Sequence, residues 1–195
     1  MCSRQRTSGS ARVGHGGYDR FMATVLQRWQ STHNVREDGA VDFVQSALVS
    51  RAVVDLDESG AARLGHVYWK TVEASTGRLF RIRAPDEALE ITLLRRGPIL
   101  IAFGRPELSA VGDCITCRYP ITGGLLARRP AGSITLTQSG RDTVELSSRI
   151  SGFVPRLAAK PGRPAWTGTL YEQVQSRIHV AISRRYFSRL ARGNS

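Results

Sequence analysis

Tyr18, Phe21, Met22, Val25, Leu26 and Trp29 recur at i, i+3, i+4, i+7, i+8 and i+11, with Asp19, Arg20, Gln27, Arg28 and Gln30 between them. That is the apolar stripe of an amphipathic helix, and the spacing predicts one over 18–29. Val41, Val44 and Leu48 extend the helical spacing into a second short helix, and residues 51–56 (RAVVDL) read as a strand. Asp57, Glu58, Ser59 and Gly60 then form a turn signal.

From Gly65 the period becomes two. Residues 66–73 hold β-branched and aromatic side chains and end in Ser75, Thr76 and Gly77, which predicts a strand and a turn. Phe80 and Ile82 alternate with Leu79, Arg81 and Arg83; Leu89, Ile91 and Leu93 alternate with Glu90 and Thr92. Gly97 and Pro98 turn the chain into the apolar run ending at Phe103, and further strands are expected at 113–121, 133–137 and 144–150. This makes about seven strands at short spacing, with no room for crossover helices, so the sheet is expected to be antiparallel.

After a linker at 155–164 with Pro155, Pro161 and Pro164, the stretch Thr169-Leu170-Tyr171-Glu172 fits a capping box. Leu170, Val174, Ile178, Ala181 and Ile182 form an apolar stripe behind it, and Arg184, Arg185, Arg189 and Arg192 crowd the last turns. A long helix is expected over about 170–190. The expected organisation is a disordered leader at 1–17, rich in Ser, Arg and Gly, then a single domain over 18–195.

The 195 residues are 41% hydrophobic, enough for a core, and no stretch approaches a membrane-spanning length. No apolar segment follows the basic residues near the N-terminus, so the cytoplasm is the expected location. The formal charge is +12, and only Lys70 and Lys160 among the 28 cationic residues are lysines. Arginine suits bidentate contact with phosphate and stacking on aromatic rings, so net charge speaks about partners but not about fold.

Catalytic and metal chemistry find little support. Cys114 and Cys117 form a C-x-x-C in strand-like sequence, where residues three apart face opposite sides, and no second ligand pair accompanies them. His15, His33, His66 and His179 share no ligand spacing; His66, beside Tyr68 and Trp69, is the better pocket candidate of the four. No phosphate loop, dinucleotide fingerprint or nucleophile elbow occurs. No catalytic residue, metal ligand or cofactor is assigned, and enzymatic activity is left open.

An N-terminal helical stretch, a long antiparallel meander over 67–154 and a final helix at 170–190 together resemble the helix-grip architecture of the START and polyketide-cyclase-like superfamily. That resemblance implies an α+β fold with a curved antiparallel sheet around the last helix. The superfamily begins with a strand, whereas the helix at 18–29 comes first here; a lipocalin-like barrel with a flanking helix is the alternative. The expected function is binding of a small apolar or amphipathic molecule between sheet and terminal helix. The strands mix large inward residues with small ones, Tyr119 and Ile115 with Cys117, Ile150 and Leu146 with Ser148. The expected pocket is bounded by Tyr68 or Trp69, Phe103, Tyr119 and the apolar face around Val174 and Ile178. One alternative is a nucleic-acid-binding module, in which Arg81, Arg83, Arg118 and Arg149 lie among the strand aromatics. Another is a peripheral membrane or protein-interaction domain using the basic terminal helix.

Overall fold

Side chains alternate between a buried and a more exposed face along three of the longer strands of this chain, as half-buried antiparallel sheet requires. The computed structural model describes residues 28–156 and 165–193. Two strands come first, β1 (Arg28–Val35) and β2 (Val41–Val49), followed by helix α1 (Glu58–Ser75). Seven strands follow: β3 (Phe80–Arg83), β4 (Leu89–Leu93), β5 (Ile99–Phe103), β6 (Glu107–Val111), β7 (Cys114–Gly123), β8 (Ser133–Ser139) and β9 (Val144–Phe153). Helix α2 (Ala165–Ala191) closes the order. The nine strands form one sheet in the order β1-β2-β9-β8-β7-β5-β4-β3, with β6 on β7 and every pairing antiparallel. β1 and β3 end that path unpaired with each other, so the sheet is open and the barrel alternative is set aside. The fold is α+β, helix-grip-like, with α1 on β3, β6, β7 and β8, and α2 across α1 and against β2.

Several local expectations are corrected. Arg28 and Trp29, the end of the expected first helix, open β1; the rest of that helix and the leader lie outside the described residues. Tertiary contact decides Trp29, whose ring lies 5.7 Å from Phe187 of α2 with the Arg184 guanidinium 5.3 Å above it. Among the described residues, strands precede the helices. Residues 41–48 are strand β2, with Phe43, Gln45, Ala47 and Val49 inward, and 51–56 are a loop rather than a strand.

The largest correction is α1. Residues 66–73 are helical because Ala61, Leu64, Gly65, Tyr68 and Val72 bury one stripe at helical spacing, against which the β-branched residues weigh little. Asp57 is the N-cap, its carboxylate accepting from Gly60 N at 2.8 Å, so the residues that spell a turn here start a helix. Gly65 lets α1 approach the sheet closely, since a Cβ there would collide with the Tyr119 hydroxyl and the Cys117 sulfur.

The loop before α1 is held by a side chain acting as backbone. Buried Gln138 on β8 accepts from Val53 N at 2.9 Å and Val54 N at 3.2 Å, and donates to Val54 O at 2.9 Å. Gln138→Leu would leave those backbone groups buried without partners, at about 1–3 kcal/mol. Urea denaturation should show that loss; an unchanged midpoint would contradict this role.

α2 is longer than expected, and its buried stripe is rotated. Ile182, Ser183, Tyr186, Phe187 and Leu190 are buried, whereas Ala181 is exposed and Ile178 is 43% exposed. The aromatic pair Tyr186 and Phe187 sets the facing, because it offers more apolar area than Ala181 or Ile178.

Candidate functional site

Large aromatic side chains from opposite layers meet between α1, α2 and the inner sheet face without filling the space. Trp69 packs 5.1 Å from Phe103 and 5.2 Å from Tyr119, and Tyr68 lies edge-on 5.3 Å from Tyr186. Beside this cluster is a cavity of about 220 Å³. α1 contributes Tyr68, Trp69 and Val72; α2 contributes Ile178, His179 and Ile182. The sheet supplies Phe80, Ile91, Phe103, Ile121, Ile134 and Ile150, among others. No aspartate, glutamate, lysine or arginine lines it among the described residues.

Of the pocket residues expected from sequence, Tyr68, Trp69, Phe103 and Ile178 stand on this wall. Tyr68 and Trp69 reach it from a helix, not a strand. Tyr119 is behind the wall, with its ring 6.4 Å from that of Phe103. Val174 lies outside the residues whose side chains are described. Ile178, half in solvent, stands at the edge of the enclosure. Sequence reasoning missed His179, which lines the cavity, and favoured His66, which is exposed on the outer side of α1. The three-residue step from His179 to Ile182 on one helix face was the available signal.

The polar groups on the wall are neutral. Burial pushes the Tyr68 hydroxyl up to about 12, partly offset by a hydrogen bond with Ser148. Burial holds His179 down at about 4, with nearby His33 adding to the effect. Its ring lies 5.6 Å from Phe43, which is itself 5.4 Å from His33. A neutral imidazole presents one donor and one acceptor. The buried Trp69 Nε1 donor has no partner at hydrogen-bond geometry, neighbouring Tyr119 included. Cys117 is a buried free thiol, pushed up by burial and so not primed as a nucleophile. It faces the core from β7, and the described residues contain no group of three or more potential metal ligands.

On β7 an arginine and an aromatic face opposite sides of the sheet. Tyr119 is inward on β7, whereas neighbouring Arg118 is outward and paired with Glu107 at 2.5 Å. No aromatic side chain is among the exposed large apolar residues described. Further arginines are paired with carboxylates, as in Arg36–Asp42 and Arg129–Asp38.

No protein-family model matches the chain, and no curated protein matches it. Among solved structures, the crystal structure of Ara h 8.0201 is similar with a TM-score of 0.34 and 16% sequence identity. The match covers 75% of this chain and 97% of that chain.

Proposed function

We propose that the protein binds a small, uncharged, largely apolar molecule in the cavity between α1, α2 and the sheet. The observation that carries this reading is a partly open cavity of about 220 Å³ whose described lining contains no charged residue. Cores normally close to leave few voids larger than a water molecule, and ligand sites are apolar enclosures with a few polar groups. A cavity of roughly 150 Å³ already holds benzene. The volume therefore suits a one- or two-ring compound and is below the roughly 300–1,000 Å³ common for larger ligands. The aromatic rings of Trp69, Phe103 and Phe80 favour a flat partner, and His179 and Tyr68 offer it hydrogen bonds. A buried charge would find no compensating partner on this wall, which favours a neutral molecule.

Calorimetric titration with 2-naphthol tests the reading. One-site binding is expected for the natural sequence, weakened at least about tenfold in Ile150→Trp, whose larger side chain would occupy the space. Equal affinity in that variant, with its fold confirmed by circular dichroism, would remove the cavity as the site.

A further inference from the structure

Four large apolar side chains stand in solvent at one end of the sheet. Leu79, Leu94, Ile99 and Leu125 are 47%, 55%, 39% and 50% exposed. Leu94 N donates to Leu79 O at 2.7 Å and Leu125 N to Ile99 O at 3.0 Å, while Thr92 at the end of β4 is opposite Ile99. The four thus stand side by side across the start of β3, the β4–β5 turn and the segment after β7. Scattered exposed apolar residues are ordinary, but a contiguous group is a mark of an interaction site.

Backbone strain sharpens the point. Leu94 has φ 58°, in the left-handed region where glycine or asparagine is the favoured residue. A leucine there is unfavourable for the turn and leaves its side chain in water.

The surrounding charge is of one sign. Arg78 precedes Leu79, Arg95 and Arg96 follow Leu94, and Arg128 and Arg156 flank Leu126, whose carbonyl accepts from Arg156 N. All five are exposed, and none of their guanidinium groups is in an ion pair or hydrogen bond among the described residues. Residues 76–79, 94–99 and 124–128 contain no aspartate or glutamate. A second copy of this chain would set arginines against arginines. A nucleic acid would meet leucines where it needs aromatic or polar side chains. Aliphatic knobs ringed by unpaired arginines fit the boundary of an anionic bilayer, where apolar groups enter below the lipid phosphates.

We propose that this end of the sheet, centred on Leu94, docks on an anionic lipid surface. Phe80, Leu100 and Leu126, each next in sequence to an exposed member, line the cavity, so docking would set the cavity wall beside the membrane. The inference stands on this surface alone and does not need a cavity ligand.

Co-sedimentation of the full chain with phosphatidylcholine vesicles, with and without phosphatidylserine, tests it. Binding is expected only with phosphatidylserine and should fall about fivefold for each of Arg95→Gln and Arg96→Gln. Leu94→Asn retains net charge and suits the backbone, so its melting temperature should hold or rise while binding falls about tenfold. Leu125→Gln should act in the same direction. Absence of binding, equal binding to both vesicle types, or undiminished binding by the leucine variants would overturn the proposal. So would binding to a uridine homopolymer that Leu94→Asn weakens to the same extent.

Discussion

Phe187→Ala is expected to cost about 3–5 kcal/mol, a large share of the roughly 5–15 kcal/mol that stabilises an ordinary domain. Phe187 is fully buried, 5.7 Å from Trp29 of β1 and 5.2 Å from Tyr186, which in turn meets Tyr68 of α1 at 5.3 Å. Phe187 thus ties α2 to the first strand, and its neighbour Tyr186 ties α2 to α1. Little nearby can collapse into the void, because its neighbours are themselves wedged aromatics. Urea denaturation followed by circular dichroism measures the effect. A loss below about 1 kcal/mol would mean that α2 is peripheral, contrary to its buried stripe.

Acid should destabilise the protein through His179. Its folded form titrates near 4, below the ordinary value of 6.5, because burial disfavours the imidazolium. Between those values the unfolded chain takes up a proton that the folded chain refuses. This contribution is therefore complete above about pH 6.5 and is lost progressively as the pH falls toward 4, by about 2–3 kcal/mol in all. His179→Leu should remove that part of the slope. Urea midpoints of both proteins at neutral pH and near pH 4.5 provide the comparison. Parallel losses in the two proteins would show that His179 is not the group responsible.

Strands β3, β4, β7, β8 and β9 were legible from alternating polar and apolar residues, as in Ile115, Cys117 and Tyr119 against Thr116 and Arg118, and β5 from its apolar run. β2 was not, because Gln45 occupies an inward position while Val44 and Leu48 on the other face imitate a helical step. β1 is a largely polar edge strand whose single large anchor, Trp29, depends on a helix remote in sequence. α1 was masked by its composition. Val67, Thr71 and Val72 with two aromatics suggest a strand, and Gly60 and Gly65 lower helix propensity for the sake of close packing. Tyr68 and Trp69, offered as pocket residues while read on a strand, line the cavity from a helix. The step from His179 to Ile182 placed both on one face of α2, but which way that face turns is set by Tyr186 and Phe187.

The central claim concerns where a small apolar molecule goes, and isoleucine methyl groups can report it directly. Ile91, Ile121, Ile134, Ile150 and Ile182 line the cavity, whereas Ile82, Ile99 and Ile115 do not. In protein labelled at isoleucine methyls, titration with 2-naphthol should shift the first five resonances together with a single saturating dependence. The resonances of Ile82, Ile99 and Ile115 should stay in place. Shifts confined to those three, or no shift at saturating 2-naphthol, would contradict the account.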